Sequence, residues 1–358
     1  SAERARSGRA SAVAGMTRAC ASAPGKIVLC GEYAVLAGAP AIVTAVDRFA
    51  WVVLETIRGE EHLLNAPGMA SGGSQFRRLA SGAYTWSGTR YPLVEHALDA
   101  CPAAEGASLS MQLDTQAFRD PQSGAKLGLG SSAALATALA TALDALFPGG
   151  PDVQQMAAAA HRNYQSGNGS GADVAASFAG GTIRFQRSDT GPGRLPRVQA
   201  LPWPKGLGYR VLWSGQASDT VAKLRQLEVR KALRCNSAQA LTASANLVAD
   251  LWGSSSNDSQ LDSLLDALRT YVADLEHFSA DQDLGIFDAG HLGLAIAAVE
   301  SALVYKPCGA GGGDTGIVFG TSADALNNFC EHATRSGFTR LDLSIAAPGV
   351  SIEAEHDE

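Results

Sequence analysis

The chain has little cysteine, few aromatics and few charges. Its six cysteines, Cys20, Cys30, Cys101, Cys235, Cys308 and Cys330, are widely spaced and form neither a Cys-x-x-Cys pair nor a Cys/His cluster. This excludes a zinc-ribbon type of site and a disulfide framework, and it reads as reduced thiols in a cytoplasmic protein. Charged residues make up 18% of the sequence and the formal net charge is −7, with no long Lys/Arg cluster. A nucleic-acid partner is therefore not expected, because phosphate-backbone binding needs a concentrated basic face. Long hydrophobic runs are missing as well. The longest, Ala133 to Phe147, is interrupted by Thr137, Thr141 and Asp144 and is too short to cross a bilayer, so no membrane span is expected.

Apolar residues, by contrast, reach 46% over 358 residues, which is enough for two packed domains with a cleft between them. Residues 1–15 are rich in Ser, Ala and Arg and read as an extension without a fold role. Residues 16–195 read as one domain. Its elements are paired strands between Lys26 and Ile57, a strand at Ser108 to Leu113, a long buried helix at Ser131 to Leu146, a helix capped by Asp152, and a strand at Gly181 to Gln186. The Pro/Gly-rich stretch from Ser188 to Lys205 marks the expected boundary. Residues 196–358 read as a second, α+β domain. It has a strand at Tyr209 to Trp213, helices over Ala222 to Trp252, Leu261 to Glu276 and Leu284 to Val304, and strands near Gly316 to Phe319 and Leu341 to Ile345.

Glycine is plentiful, with 39 residues, and three glycine-rich elements carry the chemistry. In KLGLGSSAALATALATAL, Lys126 to Leu143, Gly128 and Gly130 allow close backbone approach to an anion, and the start of the following helix attracts negative charge. Ser131 and Ser132 fall in its first turn, where a hydroxyl can reach Mg²⁺. No Lys-Ser/Thr pair follows the second glycine, so this is not a Walker loop. In YKPCGAGGGDTGIVFG, Tyr305 to Gly320, a tight turn needs fewer glycines than are present, which points to close approach to a ligand or a facing loop. Asp314 closes that run. In SAPGKIVLCGEYAVLAGAPAIVTAVD, Ser22 to Asp47, Lys26 lies in an apolar strand-like context. Its natural partner is Asp173 of GNGSGADVAASFAGG, since phosphoryl transfer to an alcohol needs an oriented carboxylate and a cation that keeps it ionised.

Taken together, PGKIVLCGEYAVL, KLGLGSSAA, GSGADVAA and KPCGAGGGD resemble, in order and spacing, the motifs of the GHMP kinase superfamily. The resemblance runs from Ser22 to Phe319. It implies an α+β two-domain fold, with a first domain like ribosomal protein S5 domain 2 and a ferredoxin-like second domain. It also implies an ATP-dependent kinase for a small-molecule substrate, using Mg²⁺. The GEY triplet, the lysine ahead of GLGSS, KPCGAGGGD, AHRNYQSGNGSGADVA and WSGQASDT are most similar to the phosphomevalonate kinase branch, whose members phosphorylate 5-phosphomevalonate in isoprenoid synthesis. Mevalonate kinase or another small-metabolite kinase of the superfamily is the alternative; a non-catalytic sensor and a decarboxylase share the fold. The resemblance leaves monomer and homodimer both open.

Carried over by position, the resemblance makes Lys26 and Asp173 catalytic. Lys126, Gly128, Leu129, Gly130, Ser131, Ser132 and Ala133 would hold the nucleotide, with Ser132 on the metal. On the acceptor side it implicates Glu32, Tyr33, His161, Ser170, Ser214, Gln216, Ser218 and Thr220. From the last glycine run it adds Gly309, Ala310, Gly311, Gly312 and Asp314, and Lys223 is a weaker candidate. Two positions depart from the pattern. Arg162 stands where mevalonate kinases present a Mg²⁺-binding glutamate, and Gly167 where phosphomevalonate kinases often carry a lysine.

Overall fold

The computed structural model describes residues 17–355 apart from 70–71, 168, 188–195, 219–222, 224–234, 255–257 and 346. The extension expected at residues 1–15 lies outside the described residues.

Two long strands organise the first half. β1 (Arg18–Cys30) and β2 (Ala41–Ile57) run antiparallel, and the pairing slips between Pro24 and Gly25 and again between Val28 and Cys30. Burial alternates along the later part of β2, whereas residues 21–25 of β1 and 41–46 of β2 are covered on both faces and buried continuously. Beyond them lie β3 (His62–Asn65), β4 (Ser74–Arg78), β5 (Tyr84–Ser87), β6 (Ser108–Asp114), β7 (Thr182–Gln186) and β8 (Arg197–Leu201). The β3 to β5 segment carried no sequence expectation. Each of its strands has only four or five residues, too few for a periodic signal to stand out.

Four helices accompany this sheet: α1 (Pro92–Asp99), α2 (Ser131–Leu146), α3 (Val153–Tyr164) and α4 (Ala172–Ala179). The expected helix at Ser131 to Leu146 appears with those bounds. Its alanines let it lie close against β1 and β2, and α3 and α4 pack on its flanks, so that it is buried almost all round. Asp152 caps α3 by accepting from the Gln155 amide.

The second sheet holds β9 (Gly208–Trp213), β10 (Val304–Pro307), β11 (Thr315–Gly320) and β12 (Thr339–Leu341) in the order β10-β11-β9-β12, all antiparallel. Helices α5 (Asn236–Ser254), α6 (Asp258–Asp281) and α7 (His291–Glu300) fall between β9 and β10, and α8 (Ala323–Arg335) between β11 and β12. This is the ferredoxin-like arrangement that the resemblance implied.

The structure departs from the sequence expectations at three places. The helix expected over Leu284 to Val304 is only α7. Gly285, Ala289 and Gly290 take positive φ and break the chain into a turn, and residues from Val304 pair as β10. The strand expected at Leu341 to Ile345 ends its pairing with β9 at Leu341, and Ile345 bridges instead to Val46 of β2. Of the helix expected over Ala222 to Trp252, Lys223 is helical and Asn236 onward forms α5, while residues 222 and 224–234 lie outside the described residues. Finally, the nine-stranded sheet does not stop at the expected boundary. β8 pairs with β7, and a last strand, β13 (Ser351–Glu355), returns to pair with β1. Pairing of strands so distant in sequence leaves no local trace in composition.

None of the six cysteines is joined in a disulfide. Among the described residues no helix is long and apolar enough to cross a membrane.

Candidate active site

A cavity of about 270 Å³ opens between the two glycine loops, and side chains from both halves of the molecule line it. Its first wall is β1. Gly25 sits at the first slip in the β1–β2 pairing, and a Cβ there would lie 2.6 Å from both Leu129 O and a ring carbon of Phe118. Without that Cβ, the loop before α2 settles onto the strand and the Lys26 amide donates to Leu129 O at 2.8 Å. The Lys26 side chain then runs under Gly130, where a Cβ would approach Cε to 2.8 Å, and ends in the cavity.

The second wall is the start of α2. Gly128 and Gly130 have φ of 75° and 80°, Gly130 is the N-cap residue, and Ser131 and Ser132 open the helix facing the cavity. Free amides at a helix start and the macrodipole make this end anion-attracting. Leu129 also faces the cavity, Lys126 projects at its exposed rim, and Ala133 is buried behind it.

The third wall is the start of α4. Gly171 is its left-handed N-cap and Asp173 falls in the first turn with 21% of its side chain exposed, facing the cavity. Ser170 Oγ accepts from the Ala172 amide and also lines the space. Burial alone would push the Asp173 carboxyl up; His161 when it carries a proton, the Lys26 ammonium and the Asp173 and Val174 amides outweigh it and hold the carboxyl below the usual range. Asp173 is therefore an anion at neutral pH. His161 itself is 2% exposed and lies behind the cavity wall, with Nε2 3.1 Å from Ser132 Oγ and Nδ1 3.9 Å from Asp173 Oδ1. Burial lowers its basicity, so it stands neutral.

The last wall comes from the second half. Gly309, Ala310 and Asp314 line the cavity, and the Tyr33 hydroxyl donates to Ala310 O at 2.7 Å. Asp314 has φ of 54°, and a Cβ on Gly128 would come within 2.3 Å of its own Cβ. The two glycine loops thus touch through a position where only glycine fits. Burial pushes the Asp314 carboxyl up, with the Ser218 amide and the nearby Lys26 and Lys126 pulling the other way. Gly311 and Gly312 turn away from the cavity to pack on Ile286 and Gly285, and the Gly312 amide donates to Ile286 O.

Several sequence candidates hold the loops rather than face the space. Ser214 is buried, and its amide donates to Asp314 O; Gln216 O accepts from the Asp314 amide and from Ser214 Oγ. Ser218 does line the cavity and ties it to the glycine run by donating to Gly311 O at 2.6 Å. Thr220 lies outside the described residues. The Lys223 ammonium donates to Leu284 O and Gly285 O, clasping the turn against which Gly312 packs. Glu32 borders the cavity, but its carboxylate is committed to an ion pair with the Lys306 ammonium and accepts from the Tyr271 hydroxyl at 2.6 Å.

Lys306 and Tyr271 were missed as partners of Glu32. The one available signal was a lysine between apolar residues in the strand of the KPCGAGGGD motif. Tyr164 and Gln165 of AHRNYQSGNGSGADVA, Ala217 of WSGQASDT, and Phe118 also line the cavity; the first three lie in motifs of the resemblance but were not named as site residues, and Phe118 carried no sequence signal.

The donor set fits a divalent cation that draws most of its ligands from phosphates and water. The Ser132 hydroxyl, Asp173 and Asp314 share the cavity, and among the described residues there is no group of three or more His, Cys, Asp or Glu side chains able to hold a metal by themselves. Mg²⁺ in nucleotide sites is bound in that manner.

Comparison with known proteins agrees with this arrangement. The model of the GHMP kinases N terminal domain matches residues 93–181. The phosphomevalonate kinase of Streptomyces sp. (strain CL190) is 27% identical over 375 residues, covering 92% of this chain and 97% of that protein. The mevalonate kinase of Thermococcus sibiricus is 30% identical over 216 residues, covering 58% of this chain and 62% of that protein. Streptococcus pneumoniae phosphomevalonate kinase, solved in complex with phosphomevalonate and AMPPNP, superposes with a TM-score of 0.71 at 16% identity, covering 91% of this chain and 99% of that one.

Proposed function

From the premise that the chain carries a GHMP kinase N-terminal domain within a GHMP kinase fold, we propose that it is a phosphotransferase moving the γ-phosphoryl group of ATP to 5-phosphomevalonate. The observation that carries this reading is the convergence of Lys26, Asp173 and two glycine loops on one cavity. The acceptor follows from the relative that matches along nearly the whole chain, the phosphomevalonate kinase of Streptomyces.

The nucleotide phosphates lie across Gly128, Gly130 and the start of α2, where the backbone can come close and the helix end is positive. The Ser132 hydroxyl, together with nucleotide oxygens, would hold a Mg²⁺ ion, which when bound would supply neutralisation of phosphate charge. An oxygen of the acceptor phosphate attacks the γ-phosphorus, the bond to the β–γ bridging oxygen breaks, and ADP leaves. That acceptor oxygen is already largely ionised at neutral pH, so little proton abstraction is required. Asp173 then orients rather than deprotonates, and Lys26 offsets the charge that builds on the transferring group. Gly309 and Ala310, the residues of the second glycine run that line the cavity, cover the reacting phosphoryl group.

A second reading, transfer to the hydroxyl of mevalonate, is favoured by one observation. Among the described residues the cations lining the cavity are Lys26 and Lys126, with Gly167 in place of a lysine. In that case Asp173 takes up the hydroxyl proton as a general base. A coupled ADP-release assay with Mg-ATP and mevalonate, 5-phosphomevalonate, homoserine and galactose separates the two. Turnover restricted to 5-phosphomevalonate is the expected result; turnover on mevalonate alone would replace the acceptor, and silence on all four would remove the kinase reading.

A further inference from the structure

We propose that His161 is a positioning residue that sets the direction of the Ser132 hydroxyl, so that its oxygen lone pairs face the nucleotide side of the cavity. This rests on the kinase reading above. Three helices bring the groups together: Ser132 from the first turn of α2, His161 from the last turn of α3 and Asp173 from the first turn of α4. The imidazole is 2% exposed, so water does not compete for its nitrogens.

The two sides of the ring are not equivalent. The Asp173 carboxylate lies 3.9 Å from Nδ1, beyond hydrogen-bond length but close enough for its negative charge to favour the tautomer with the proton on that nitrogen. Nε2 is then an acceptor, and its neighbour at 3.1 Å is Ser132 Oγ. The serine must donate. A hydroxyl has one proton and two lone pairs, so a serine that spends its proton on a buried imidazole presents only acceptor sites to the cavity. That polarity suits a divalent cation accompanying the nucleotide and opposes direct donation to a phosphate oxygen. A side chain that the sequence suggested for the acceptor thereby acts on the nucleotide side, through Ser132.

The test is nucleotide affinity of the full chain, measured by calorimetry with a non-hydrolysable ATP analogue in the presence and absence of Mg²⁺. The unaltered chain binds more tightly with Mg²⁺. His161→Leu is expected to lose about tenfold of that Mg²⁺-dependent gain, roughly 1.4 kcal/mol, with metal-free affinity little changed. His161→Gln, which restores an acceptor near the Nε2 position, is expected to recover most of it. In a Ser132→Ala background His161→Leu should add nothing further. Equal weakening with and without Mg²⁺, no change in either, or additive losses in the double variant would each reduce His161 to packing and overturn the proposal. Should His161→Leu fail to fold, His161→Met is judged by the same ratio. A chain that binds no nucleotide before any substitution would instead sink the kinase reading itself.

Discussion

Two lysine–carboxylate pairs lie within the same region of the molecule, and they differ in everything but charge. Lys306 and Glu32 are sealed, with side chains 0% and 2% exposed, and every strong valence is used. The Lys306 ammonium donates to Glu32 and to Val28 O, the other Glu32 oxygen accepts from Tyr271, and the Tyr271 hydroxyl accepts from the Gly31 amide at 2.9 Å. Burial works against the Lys306 charge, yet Cys308 and the contacting Glu32 carry its basicity above the ordinary value. Lys26 and Asp173, in contrast, meet only through their fields, and both face the cavity. A saturated buried pair holds β10, α6 and the end of β1 in one arrangement; an unsaturated pair at a cavity is left to act on something that enters it. Saturation, rather than charge or burial alone, separates scaffold from chemistry here.

The comparison breaks most severely at the sealed pair. Lys306→Met or Glu32→Gln leaves a buried partner uncompensated and should cost about 3–5 kcal/mol in chemical denaturation. The double replacement Lys306→Met with Glu32→Leu should recover much of that loss, since an apolar pair of similar volume needs no desolvation. At the open pair the balance is reversed. Asp173→Asn and Lys26→Ala should lower kcat by about 10²–10³-fold, while thermal unfolding stays within a few degrees. A large stability loss in either would place them with the scaffold and remove the distinction.

A smaller effect is expected where the two glycine loops touch. Gly128→Ala puts a Cβ against Asp314 at a φ of 75° and should cost more than the roughly 1–2 kcal/mol of the left-handed backbone alone, with a raised KM for ATP. The same alanine at Gly309, which has nothing within 4 Å of the added Cβ, meets only the backbone penalty at its φ of 66° and no clash. Equal effects at the two positions would mean that the loops do not bear on each other.

The mildest test is pH. His62, and His291 behind the second glycine run, have values lowered to about 4 by burial, with the Gly313 carbonyl 3.1 Å away partly opposing this at His291. The unfolded value is near 6.5, so the unfolded chain takes up protons first as pH falls. Stability is therefore intact above about pH 6.5 and declines toward pH 4. A Tm lower by roughly 5–10 °C at pH 5 than at pH 7.5 is expected, and His62→Gln should flatten part of the slope.

Much of the site was legible because its chemistry demands unusual local sequence. GLGSS ahead of an alanine-rich run announces a helix start that can receive an anion, and the structure shows α2 with those bounds. The dense glycines of KPCGAGGGD pointed to a close approach, and Gly128 meets Asp314 there. What was not legible depended on partners remote in the chain. Glu32 looked like an acceptor ligand because Lys306 is 274 residues away. Leu284 to Gly290 looked helical because its apolar spacing is helical, whereas its carbonyls are taken by Lys223 and Gly312.

The amino-acid sequence by itself determined the glycine loops, the long helix behind one of them, and the identity of the charged residues beside them, because turn geometry and helix propensity are local. Only the tertiary structure decided which charges are saturated and which are left open, since that depends on strands and helices that meet across hundreds of residues. The last strand, β13, is the plainest instance: it completes the first sheet against β1 although more than 320 residues separate the paired positions, and no local pattern encodes a contact of that span.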